Sequence, residues 1–169
     1  MIAPLPRRLL AEFLGSAFLA ALVIGSGIAA QDLSPDDTGL QLLENAAATA
    51  AGLFAIILMF GPVSGGHFNP VVSLVDAALD GAPWRQAFAY VPVQIAGCVA
   101  GAVLANVMFD LVPVSIATTQ RAAAAHGVAE VVATVALLLL IFSLTRTGRG
   151  HGSLSMSISI SSSCRLGSI

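Results

Sequence analysis

The stretch Gly61-Pro62-Val63-Ser64-Gly65-Gly66-His67-Phe68-Asn69-Pro70-Val71-Val72-Ser73-Leu74 decides the fold. It is too apolar for an ordinary aqueous loop, yet too interrupted by Gly and Pro to continue a helix. Within it a new helix has a clear start. Asn69 is a good N-cap because its side-chain oxygen accepts from an orphan backbone N–H, and Pro70 suits the first helical position, where no amide proton is needed. The pattern predicts a short helix from Pro70 to about Leu79, roughly three turns.

The sequence around this stretch is suited to lipid. Of 169 residues, 57% are hydrophobic and 9% charged, whereas a soluble domain carries about 25% charge. A helix rising ~1.5 Å per residue needs ~20 mostly apolar residues to cross the hydrocarbon. Four stretches reach or approach that length: Leu9 to Ala30 with Glu12 inside, Leu40 to Phe60 with Glu44 near its start, Ala87 to Phe109, and Val128 to Leu144 with Glu130 inside. The first is longer than the ~7–15-residue apolar core of a secretory signal and ends in Gly25-Ser26-Gly27 without a convincing cleavage site, so it is expected to stay in the mature protein.

Seven basic residues, all Arg, oppose nine acids for a net charge of -2, which excludes a basic nucleic-acid surface. Arg7 and Arg8 precede the first span, Arg85 lies between the second and third, and Arg146, Arg149 and Arg165 follow the fourth. Arg121 alone falls on the other side. The positive-inside rule therefore predicts a cytoplasmic N-terminus, Arg85 loop and C-terminal tail, hence a multi-pass protein of the cell's inner membrane. Cys98 lies in the third span and Cys164 in the tail, which suggests no redox role. His67, His126 and His151 lack ligand spacing, the latter two fall in loops, and no metal or other cofactor is expected.

A helix from Pro70 to Leu79 covers half a membrane. It can enter and leave on one side only where protein or a water-filled cavity satisfies the irregular backbone before it. That implies a pore or a binding cavity. The N-terminus of such a half-helix carries partial positive charge, which repels cations and orients the oxygen of a neutral solute.

The run Ser64-Gly65-Gly66-His67-Phe68-Asn69-Pro70-Val71-Val72-Ser73 resembles the first Asn-Pro-Ala loop of the aquaporin and aquaglyceroporin channels, the major intrinsic proteins, with Val71 at the alanine position. Ala11-Glu12-Phe13-Leu14-Gly15 on the first span and Gln94, Gly97 and Gly101 on the third extend the likeness from Arg8 to about Arg146. The resemblance implies an all-α membrane protein, an aquaporin-like helical bundle of four transmembrane helices and one re-entrant half-helix, with the second repeat incomplete. It also implies that Asn69 offers its amide to the permeating molecule, and that the carbonyls of Gly65, Gly66 and His67 form an acceptor ladder. Half-helix fields and a fixed donor pattern exclude protons in pores of this type.

By spacing back from Asn69, Thr49 falls where the family places a filter residue that is aromatic in many members. A threonine there widens the constriction toward glycerol or neutral metalloid hydroxides; packing in an Ala-rich helix is its other reading. Ala11-Glu12 recurs as Ala129-Glu130, as an inverted repeat requires. An intramembrane carboxylate needs partners, and the resemblance makes Glu12 and Glu130 braces for the re-entrant loops, with Gln94 supporting; Glu12 is otherwise placed to pair with Arg8 at i,i+4. Gly97 and Gly101 read as a close helix approach, and the His67 ring as packing on a neighbouring span.

After residue 146 the likeness is expected to stop. Residues 147–169 alternate Ser and Ile without a run of ~18 apolar residues, so a domain at 8–146 is expected, followed by a disordered tail or the product of a frameshift or truncation. The family has six spans and a second Asn-Pro-Ala loop; four and one are read here. Two functions follow: a passive channel for small uncharged solutes, working as a homotetramer by resemblance, or a non-conducting fragment. A membrane enzyme or energised transporter ranks last, because Glu12 and Glu130 are accounted for by loop support.

Overall fold

The computed structural model describes residues 3–114 and 124–146. Its helices are α1 (Leu5–Leu33), α2 (Thr38–Ser64), α3 (Pro70–Ala78), α4 (Trp84–Met108) and α5 (Ala124–Arg146), and no strand occurs among the described residues. The described residues divide into two units, α1 to α4 in the first and α5 in the second. Arg121, Arg149, Arg165, His151, Cys164 and the Ser-rich stretch 147–169 lie outside the described residues.

Helices α1, α2 and α4 are each long and apolar enough to cross a membrane. In the second unit α5 is 23 residues long, and its stretch Gly127–Ser143 is apolar. The spans outgrow their apolar cores. α1 starts before Leu9 because Pro6 is preorganised for a first turn, and the N–H groups of Arg7 and Arg8 bond the Pro4 carbonyl at 3.0 and 3.2 Å. Both arginines therefore sit on the helix rather than ahead of it. His126, expected in a loop, falls within α5.

Gly61 and Pro62, which by sequence should end the helix, do not end it. α2 runs through both to Ser64, with Pro62 in its last turn. The ring fixes a helical φ and costs mainly one intrahelical bond, while Ser64 Oγ donates back to the Phe60 carbonyl at 3.4 Å. Gly65 ends the helix at φ 101°, its N–H on the Gly61 carbonyl at 2.9 Å. Only glycine takes this left-handed position without steric cost.

In the first unit α1 packs against α2 and α4, and α3 against α4. The α1–α4 seam is set by two small residues. A Cβ on Gly97 would run into the Phe13 carbonyl and one on Gly101 into that of Ala17, so the two backbones touch, as small-residue packing in lipid allows. Large apolar side chains such as Leu42, Phe54, Met59 and Phe88 face outward instead.

Candidate functional site

The site is the link between α2 and α3. Asn69 caps α3: its Oδ1 accepts from the Val71 N–H at 2.8 Å, and Pro70 occupies the first turn. With the oxygen so used, the Asn69 amide has its Nδ2 protons left to donate. Val71 presents an exposed side chain beside it. Gly65 (φ 101°), Gly66 (φ 71°) and Phe68 (φ 47°) all hold left-handed backbone. Among the described residues no donor reaches the carbonyls of Gly65, Gly66 or His67.

Phe68 is the strained member, since a left-handed non-glycine residue costs about 1–2 kcal/mol. Three contacts hold it there. Its ring fills the space a Cβ on Gly15 would need and meets Phe60 edge-on at 6.3 Å, while its N–H donates to Glu12 Oε2 at 2.7 Å.

Glu12 is the centre of the arrangement and is 0% exposed. Its Oε1 accepts from the His67 N–H at 3.1 Å, and its Oε2 accepts from Phe68 and also from Gln94 Nε2 at 2.8 Å. Gln94 Nε2 donates onward to Ser73 Oγ at 2.9 Å, and Ser73 Oγ lies 2.9 Å from His67 Nδ1. The loop, α1, α3 and α4 are thus joined by one buried network. A carboxylate suits its centre because it accepts at both oxygens and donates at neither. Arg8 does not pair with Glu12; its guanidinium lies 5.6 Å from the centre of the Tyr90 ring, a cation–π distance.

The His67 ring meets Tyr90 edge-on at 5.5 Å, and its Nε2 lies 3.5 Å from Asp76 Oδ2. Tyr90 donates its hydroxyl to the Ser64 carbonyl at 2.8 Å, tying the end of α2 to α4. A cavity of about 510 Å³ opens on this side, lined in part by Arg8, Ser64, Gly65, His67, Asp76 and Gln86. Among the described residues no group of three or more potential metal ligands occurs.

Glu12, Gln94, Gly65, Gly66, His67, Asn69 and Pro70 therefore come together. Thr49 lies elsewhere, in a second polar cluster with Asn45 and Ser26, and Glu130 is on α5 in the other unit. Sequence reading missed Ser73, Tyr90 and Asp76 as partners of the loop. Tyr90 is the chain's one tyrosine, within an apolar span; a buried hydroxyl that needs an acceptor was the available signal.

Comparison with known proteins agrees with this architecture. A family model described as Major intrinsic protein matches residues 3–169. Aquaglyceroporin AqpS of Rhizobium meliloti (strain 1021) is 45% identical over 134 residues, 79% of this chain and 57% of AqpS. Aquaporin-10 of Milnesium tardigradum is 41% identical over 106 residues, 62% of this chain and 25% of that protein. Aquaporin NIP6-1 of Arabidopsis thaliana is 32% identical over 105 residues, covering 62% and 33%. The chain thus spans between a quarter and somewhat over half of these relatives' length. With its apolar helices and a family match over nearly its whole length, the chain is a multi-pass membrane protein that belongs to the major intrinsic protein family, a family of channels and not of enzymes.

Proposed function

We propose that the protein is a passive channel for small uncharged solutes, with Asn69 and the Gly65, Gly66 and His67 carbonyls lining the passage. One observation carries the reading: a capped half-helix follows a loop whose three carbonyls are left as acceptors, with the Asn69 amide next in line as donor. A neutral solute shedding water meets acceptors and then a donor, while a cation meets the positive end of α3. No group in this scheme needs to gain or lose a proton. Pro70 fixes the start of α3, Val71 holds the cap, and Glu12 with Gln94 keeps the loop in shape; Glu130 is assigned the same bracing role in the second repeat. Thr49 forms part of the wall further along α2. A solute of glycerol size or a neutral metalloid hydroxide is favoured over water alone, in keeping with the relative named an aquaglyceroporin. A homotetramer in the cytoplasmic membrane completes the reading.

Stopped-flow swelling of proteoliposomes tests it. The chain is expected to raise glycerol or water permeability above that of empty vesicles, and background flux would instead support a non-conducting protein. Asn69→Asp replaces the donating amide with a carboxylate while keeping the cap acceptor. Flux is expected to fall about tenfold or more, the equivalent of one charged group placed badly inside a membrane passage; unchanged flux would remove Asn69 from the passage.

The positions of Arg7, Arg8 and Arg85 support a cytoplasmic N-terminus and a cytoplasmic α3–α4 connection. Single cysteines at Ser34 and Ala82 are expected to react with a membrane-impermeant maleimide from the outside and from the inside, respectively. Cysteines at Gly61 and Ala82 must both open to the inside if the loop re-enters. Labelling of these two from opposite faces would exclude a re-entrant loop.

A further inference from the structure

A second polar cluster lies between α1 and α2, away from the loop. Asn45 Oδ1 accepts from Ser26 Oγ at 2.9 Å and from Thr49 Oγ1 at 3.2 Å. Each hydroxyl has one proton to give. Thr49 gives its proton to Asn45, so its oxygen presents lone pairs alone; Ser26 shares its own with the Val23 carbonyl at 3.4 Å. Asn45 keeps both Nδ2 protons, and a Cβ on Gly27 would sit 3.4 Å from that nitrogen, so the glycine makes room for the amide.

Gln41, Asn45 and Thr49 follow one another at i, i+4 and i+8 and so share one stripe of α2. All three are half-buried, whereas Leu43, Phe54 and Leu58 on the opposite face are exposed. A polar stripe turned to hydrocarbon is costly, so this face of a membrane helix marks protein or water.

We infer that Asn45 is a positioning residue for selectivity. It holds the Thr49 proton, so that the wall offers the Thr49 oxygen as an acceptor with the Asn45 amide as a donor one turn away. This rests on the channel reading above, with Thr49 on the passage wall. The class of solute it favours is one bearing several hydroxyl groups. Such a molecule loses more of its hydration on entering a constriction and needs replacement donors and acceptors, since each unmade bond is expensive. Water in single file keeps its neighbours. Ser26 reaches Thr49 through Asn45, as the anchor that fixes the amide from α1.

The test is the ratio of glycerol to water permeability in proteoliposomes, with folding of each variant checked by thermal unfolding in detergent. Asn45→Leu is expected to lower the ratio about fivefold, the worth of roughly one hydrogen bond. Thr49→Val should lower it similarly, and Asn45→Leu added to Thr49→Val should lower it no further. Ser26→Ala should shift it in the same direction by less, and if Asn45→Leu does not fold, Ser26→Ala carries the test alone. A ratio unmoved by these changes, or independent additive shifts, would overturn the positioning role and leave the channel reading standing. Absence of flux from the unmodified chain would overturn the channel reading, and this inference with it.

Discussion

Glu12→Ala is expected to destabilise the folded chain by about 3–5 kcal/mol, and to release the link between α2 and α3 from its fixed shape. The magnitude follows from what is left behind. Glu12 is fully buried, and its loss strands the His67 and Phe68 N–H groups and one Gln94 amide proton. Each buried donor left unpaired costs about 1–3 kcal/mol, and the three are coupled through one carboxylate, so the sum is smaller than their total. The left-handed Phe68 also loses the bond that offsets its strain. Glu12→Gln should lie between wild type and alanine, because one oxygen remains but the new N–H₂ faces donors. Thermal unfolding in detergent gives the first readout. Amide exchange at His67 and Phe68 gives the second, with exchange expected to quicken in both variants. Unfolding and exchange equal to those of the unmodified chain would show that the carboxylate does not hold the loop.

Gly101→Leu is expected to force α1 and α4 apart, at a cost of about 3 kcal/mol or more. The obstruction is backbone, since a Cβ at residue 101 would meet the carbonyl of Ala17 and its neighbouring atoms, and at residue 97 the carbonyl of Phe13. Flexible side chains can swing away from an added methyl; a helix backbone moves as a body. The move would reach the site, because α4 carries Gln94 and Tyr90 to the loop. Gly101→Ala should already be harmful. Gly127→Ala serves as the control, for no described residue lies within 4 Å of a Cβ there. A cysteine pair across the α1–α4 seam reports the separation directly. If Gly101→Leu cross-links and unfolds like the parent while Gly127→Ala does too, close backbone contact does not stabilise this pair.

The half-helix was legible because its signals are local. Asn69 and Pro70 are adjacent, and capping depends on backbone groups two residues away; the structure places α3 at Pro70–Ala78 with Leu79 as its C-cap. Three of the spans could be read for a similar reason, since hydropathy is a sum along the chain. The reading failed where a residue's cost depends on its surroundings. By sequence Pro62 reads as a stop, yet in the last turn of α2 it forfeits little, and the Ser64 hydroxyl helps close the end. The extension of α1 over Arg7 and Arg8 was hidden likewise, because charge masked a turn already favoured by Pro6.

Composition, hydropathy and the Asn69-Pro70 junction determined by themselves that this is an all-helical membrane protein with a broken helix between two spans. These depend on transfer from water to lipid and on bonds between near neighbours, both of which a linear sequence carries. The family resemblance already pointed Glu12 and Gln94 at the loop, but tertiary structure alone decided which groups each meets: Glu12 accepts from His67, 55 residues away, Tyr90 comes from α4 and Ser73 and Asp76 from α3, and, away from the loop, Asn45 sits between Ser26 and Thr49. A buried hydrogen bond has no preferred separation along the chain. Its partners are set by the crossing of helices, and here Gly97 and Gly101 fix how closely α1 and α4 can cross.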